Sequence, residues 1–285
     1  MTQFFAHKPA GQPGLALFLN AGDPSLDVLP DLLWMLDECQ VDCVELAVPF
    51  PNSPTDGPVI RRSADRALAN GVGLDDVLDV IGSVRATLRH LHIALLADWS
   101  YTAKGQPLHQ FTRRVAESGA DGLLLHGLPP RLRAGYYQAA RDAELPIVTT
   151  CYHNSHPEVV AESAAEATAY LYLVAQYGRS GSSSAADYVA LSAAIATVQT
   201  ATTAPVAVGF GVRSAADVAV MHDLGADAAI VGTAAVTQIE RAVNQQTDAV
   251  AELYHFARTL RPLDQLVGAA AGAGADAVGV GSGAA

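Results

Sequence analysis

Eight short apolar runs recur along the chain: LALFL (15–19), CVELAV (43–48), HIALLA (92–97), GLLLH (122–126), PIVTT (146–150), YLYLV (170–174), PVAVG (205–209) and AAIVG (228–232). Their continuity, with little polar alternation, suits strands covered on both faces, as parallel strands are. Longer stretches with helical spacing lie between them. In SLDVLPDLLWMLDECQ, Leu29, Leu32, Leu33 and Leu36 share one face; in QFTRRVAESGAD, Phe111 and Val115 share another, and Gly119 ends the helix. The helix-to-strand turns SGADGLLL (118–125) and LGADAAIV (224–231) echo each other, and ECQVDCVEL (38–46) is a looser copy. Strands alternating with helices in this way predict an α/β chain folded as a single-domain (β/α)8 TIM barrel. The barrel is expected over 14–265, between an N-terminal segment (1–13) and a flexible Ala/Gly-rich tail (266–285). An open doubly wound sheet would favour a glycine-rich turn after the first strand, and the sequence has none there.

Composition narrows the function. The 285 residues are 50% apolar and 16% charged, which describes a globular chain with a substantial core. A net charge of −12 disfavours non-specific binding to nucleic acid or to an anionic membrane, yet backbone N–H groups still bind phosphate in an acidic protein. Residues 1–13 lack the features of a signal peptide, and Cys39, Cys43 and Cys151 read as small buried hydrophobes of a reducing, cytoplasmic protein. No cysteine or histidine spacing suggests a metal site, although His153 and His156 lie in YHNSHPE. The two lysines, Lys8 and Lys104, fall outside the strands, so a Schiff base has no candidate.

Barrel enzymes place their chemistry at the C-terminal ends of the strands. There the stretch ELAVPFPNSPTDGP (45–58) sets Glu45 in the second strand and Asp56 in the loop that follows. An inward, buried glutamate has a raised pKa and serves as acid as well as base. Asp56 admits a second reading, as the cap of a helix starting at Pro58. Three turns follow strands six, seven and eight: GRSGSSS (178–184), GFGVRS (209–214) and VGTAAV (231–236). Glycines let backbone approach an anion and hydroxyls add donors, so together these turns favour a phosphate site, with Arg213 beside it.

The stretch ELAVPFPNSPTDGPVIRRSADRAL (45–68) resembles the signature of the tryptophan synthase alpha subunit family, with further blocks in the same order: FLNAGDPS, GADGLLLHGLPP, YLYLVAQYGRSG, PVAVGFGVRS and GADAAIVGTAAV. The resemblance spans roughly residues 14–240. It implies cleavage of indole-3-glycerol phosphate to indole and glyceraldehyde 3-phosphate, with neither cofactor nor metal. On that resemblance Glu45 and Asp56 are the catalytic carboxylates and Tyr172 lies near Glu45. Phe18 and Leu96 line the ring pocket, and Ser180, Gly181, Gly211, Gly232 and Thr233 belong to the phosphate site.

Several positions depart from the family pattern. Pro51-Asn52-Ser53 replaces Ser-Asp-Pro, and Gly127-Leu128-Pro129 replaces Asp-Leu-Pro. In the family these two loops face the beta subunit, so the expectation is a lyase with little dependence on such a partner. Arg179 is new in the loop after strand six, and Asp98 stands where an aromatic residue usually closes the indole pocket. Asp98 therefore raises a lyase for a substituted indole as one alternative. The others are an orthodox alpha subunit and a non-catalytic phosphate-binding partner of a beta-type subunit.

Overall fold

In the computed structural model, which describes residues 4–6, 8, 12–175, 188–209 and 211–261, the eight apolar runs are all strands. They are β1 (Gly14–Asn20), β2 (Cys43–Ala47), β3 (His92–Asp98), β4 (Gly122–His126), β5 (Val148–Tyr152), β6 (Tyr170–Val174), β7 (Val206–Gly209) and β8 (Ala228–Val231). The strands pair in parallel in the order β4-β3-β2-β1-β8-β7-β6-β5. A parallel bridge between Leu123 and Ile147 closes β4 onto β5, so the sheet is the predicted barrel. Around it run α1 (Leu29–Glu38), α2 (Pro58–Ala69), α3 (Leu74–Val84), α4 (Leu108–Glu117) and α5 (Pro130–Asp142). The ring continues with α6 (Pro157–Glu166), α7 (Tyr188–Ala201), α8 (Ala215–Asp223), α9 (Thr233–Gln245) and α10 (Ala249–Leu260). Among the described residues no helix is long and apolar enough to cross a membrane.

Alternate residues of each strand divide between two cores. Leu15, Leu17, Val44, Leu46, Ile93 and Leu95 face the helices and pack against the Leu29, Leu32, Leu33 and Leu36 face of α1. The intervening residues Ala16, Cys43, Ala94, Ala207 and Ala228 face inward and are small. The space they leave is filled by Tyr170 of β6 and by two aromatic residues from the start of the chain, Phe4 and Phe5. Both phenylalanine rings lie 5.4 Å from the Tyr170 ring, centroid to centroid. Gly14 makes room for this plug, since a Cβ there would come within 2.4 Å of the Phe5 ring. The segment expected to precede the barrel thus contributes part of its interior.

The echoed Gly-Ala-Asp turns have a structural reason. Asp42, Asp121 and Asp227 each precede a strand and each accept a hydrogen bond from the strand before it, from the N–H groups of Leu15 (2.7 Å), Ile93 (2.8 Å) and Val206 (2.9 Å). Their own N–H groups donate back to the carbonyls of the same three residues. At the fourth such pair, β5 and β6, the Thr168 hydroxyl takes the carboxylate's place against the Ile147 N–H at 2.7 Å. One polar clasp therefore recurs at every second strand and fixes register at the closed end of the barrel, opposite the strand ends that carry the chemistry.

Candidate active site

Glu45 lies at the middle of β2, in register with Phe18 on β1 and Ala94 on β3. Its side chain points into the barrel and is 3% exposed. There its Oε1 accepts a hydrogen bond from the Tyr170 hydroxyl at 2.7 Å. Burial pushes the Glu45 carboxyl up from 4.5 to about 7, and the Tyr170 hydrogen bond partly opposes that rise. At neutral pH the group is thus poised between its acid and base forms. Cys43, one layer below, is buried too, and its thiol is raised by burial and by the nearby Glu45 charge.

Above this layer opens a cavity whose apolar side is formed by Phe18, Ala47, Phe50 and Leu96 and whose polar side includes Asn20, Ser53, Asp56, Arg61 and His126. Asp56 does not cap α2; the helix begins from Gly57 with no side-chain cap bond. Instead the Ser53 hydroxyl accepts the Asp56 backbone N–H at 3.3 Å, and Ser53 itself is buried. Burial raises the Asp56 carboxyl above 3.8, opposed first by a hydrogen bond with Ser53, then by the charges of His126 and Arg61. Tyr172 has both Glu45 and Asp56 among its charged neighbours, and burial first, then these carboxylates, drive its hydroxyl well above 10. A Cβ at Gly209 would lie 2.4 Å from the Tyr172 hydroxyl, so glycine at the end of β7 is what admits this ring.

The phosphate candidates divide. Gly232 is the residue before α9 and Thr233 its first residue, so the helix start is aimed from the end of β8, with no side-chain cap. Gly211 follows β7 with φ +88°, which glycine adopts readily. Arg213 is exposed, and its backbone N–H donates to Asp217 at 2.9 Å. Ser180, Gly181 and Arg179 lie outside the described residues.

Asp98 is not among the residues that line the cavity. Its carboxylate accepts the N–H groups of Ser100 (2.8 Å) and Tyr101 (3.0 Å) and so caps the turn Trp99–Ala103. It is buried, and two backbone donors compensate its burial. Sequence reasoning missed Tyr170, His126 and Arg61. Tyr170 was findable, since it lies two residues before Tyr172 on one strand and so on the same face. His126 was findable as the last residue of β4.

Comparison with known proteins places this arrangement. The family described as "Tryptophan synthase alpha chain" matches residues 4–265. The tryptophan synthase alpha chain of Ralstonia nicotianae is 31% identical over 259 residues, covering 89% of this chain and 97% of the relative. That of Acidithiobacillus ferrooxidans is 32% identical over 264 residues, covering 93% and 94%. Among solved structures, tryptophan synthase subunit alpha from Legionella pneumophila superposes with a TM-score of 0.79 at 26% identity, covering 90% of this chain and 93% of that one. With a match that takes in both carboxylates, both tyrosines and the described phosphate turns, the chain belongs to the tryptophan synthase alpha chain family.

Proposed function

We propose that this chain cleaves indole-3-glycerol phosphate to indole and glyceraldehyde 3-phosphate, as a carbon–carbon lyase of the cytoplasm, with Glu45 and Asp56 as its catalytic carboxylates. The observation that carries the reading is a buried Glu45 with a carboxyl near 7, set beneath a cavity that Asp56 lines. A retro-aldol cleavage needs a proton delivered to C3 of the indole, positive charge stabilised at the ring nitrogen, and the side-chain hydroxyl proton removed. Glu45 in its acid form gives its proton to C3. As carboxylate it then takes the hydroxyl proton while the C–C bond breaks, and the cycle ends with Glu45 protonated again. Asp56, ionised, faces the ring N–H as that nitrogen becomes positive. Tyr172 orients Glu45 or the substrate, Phe18 and Leu96 hold the ring, and Gly211, Gly232 and Thr233 hold the phosphate, with Ser180 and Gly181 assigned there by the family resemblance alone. Arg213 adds positive charge beside that phosphate.

The family normally works with a beta subunit. We read this member as needing little of one, because the substituted loop Pro51-Asn52-Ser53 closes on Asp56 within the chain through buried Ser53. Asp98, engaged in its turn, gives no support to a ring-substituted substrate. The test is release of indole from indole-3-glycerol phosphate by the purified chain alone. Release establishes a self-sufficient lyase. Release only with an added beta-type subunit returns the chain to the orthodox alpha role, and none in either case removes the reading.

A further inference from the structure

Asn20 is the last residue of β1 and, two places beyond Phe18, presents its side chain on the same inward face. It lines the cavity together with Phe18 and Asp56, and it is 5% exposed. Its Nδ2 donates to the Ile60 carbonyl at 3.1 Å and to the Ser63 hydroxyl at 3.0 Å, both on α2. A carbonyl only accepts, so the Ile60 bond fixes which end of the amide faces the helix. The Oδ1 is thereby turned away from α2. Among the described residues no donor reaches it, and the only sealed side-chain atom without a partner is His153 Nδ1. The Asn20 Oδ1 therefore opens on the cavity, an acceptor held in place by both hydrogens of its own amide.

The place of Asn20 in the barrel says which donor it meets. β1 lies between β2, which carries Glu45, and β8, whose end leads to Gly232 and Thr233. A Cβ at Gly232 would lie 3.8 Å from the Phe18 Cβ and 4.0 Å from the Ile60 Cδ1. This turn thus abuts the strand and the helix that Asn20 joins. A substrate with its ring against Phe18 and its phosphate at Gly232 carries its glycerol chain across the end of β1. That chain has two hydroxyls. One is on the carbon bonded to the ring and loses its proton in the cleavage; the other is on the middle carbon, and the reaction leaves it intact. We propose that the Asn20 Oδ1 accepts a hydrogen bond from the middle hydroxyl and so makes the site selective for a glycerol side chain over a deoxygenated one. This rests on the reading of the chain as an indole-3-glycerol phosphate lyase with its phosphate at the β8 turn.

The experiment is a cycle of proteins and substrates, read as kcat/KM for indole release. The substrates are indole-3-glycerol phosphate and its analogue with hydrogen in place of the middle hydroxyl. The analogue keeps the ring, the reacting hydroxyl and the phosphate, and so remains cleavable. The wild type should prefer the glycerol compound about three- to tenfold, the worth of one neutral hydrogen bond. Asn20→Ala should lower both values, because α2 loses two bonds, and should erase the preference. Ser63→Ala, which removes one of those bonds and leaves the Oδ1, should keep it. A wild type that treats the two compounds alike overturns the inference, and so does a preference that survives in Asn20→Ala. If the wild type binds both compounds but cleaves neither, the functional reading fails, while the same cycle read by calorimetry still decides the role of Asn20.

Discussion

The two carboxylates of the site live in opposite surroundings. Glu45 sits inside the barrel on a regular strand, over a floor of Phe4, Phe5 and small side chains, with the Tyr170 hydroxyl on its Oε1. Asp56 sits in a loop above the strand ends, beside a serine and two basic side chains. Burial raises both, but only Asp56 has positive neighbours to oppose the rise. The difference fits the tasks proposed for them. A carboxyl near 7 with no counter-cation exchanges protons readily, while one whose rise is opposed by Ser53, His126 and Arg61 suits the proposed role of charge stabiliser. On the proposed mechanism one functional group, the carboxyl, serves two roles because one environment is dry and the other is charged.

The comparison breaks most visibly at Glu45. Glu45→Gln keeps size and hydrogen bonding but removes the transferable proton, and kcat for indole release should fall by about 10²–10⁴. Binding of a phosphorylated substrate analogue, measured by calorimetry, should stay within a few-fold. If turnover survives that change, Glu45 is not the proton carrier.

The dryness of the floor is tested by removing its plug. Phe4 is 1% exposed and packs on Tyr170, so Phe4→Ala should cost about 3–5 kcal/mol, read as a lower urea midpoint at an unchanged slope. A cost near zero would mean that the start of the chain is not part of the core.

Much of this was legible in the sequence, for physical reasons. Parallel strands covered on both faces leave continuous apolar runs, and all eight were recognised. The Gly-Ala-Asp echoes were visible because three of the four clasps use the same aspartate, whereas the fourth was hidden by Thr168. Glu45 and Asp56 were visible because a carboxylate inside an apolar strand run, followed by another in the next loop, is unusual enough to question. Asp98 misled, since sequence alone does not reveal that two N–H groups of the next turn satisfy it. Phe4 and Phe5 were passed over, since an aromatic pair near a chain start carries no periodicity.

A smaller effect sharpens the electrostatic side of the contrast. The folded state raises Glu45 from 4.5 to about 7 and so prefers its protonated form. The contribution from this group is therefore full below pH 4.5 and is lost as pH rises through about 7. Glutamine never ionises. Relative to the wild type, Glu45→Gln should gain stability on the order of 3 kcal/mol between pH 4 and pH 8, measured by urea unfolding. A difference flat across that range would mean that Glu45 is not dry.

The smallest effect separates the two tyrosines of β6. Tyr170 donates to Glu45 at 2.7 Å and thereby lowers its carboxyl against the pull of burial. Tyr170→Phe should raise that carboxyl above about 7. Because Glu45 begins the proposed cycle protonated, the alkaline limb of kcat/KM should then move to higher pH. The stability cost should be about 1 kcal/mol below neutrality, where a neutral hydrogen bond is lost, and larger above it, where the bond is to a carboxylate. Tyr172→Phe is the control. Its ring has both carboxylates as neighbours, so its loss should lower kcat while leaving the alkaline limb in place. Should Tyr172→Phe move the limb and Tyr170→Phe leave it still, Tyr172 would be the residue that sets Glu45, as the family resemblance alone suggests, and the bond to Tyr170 would be only a contact of the floor.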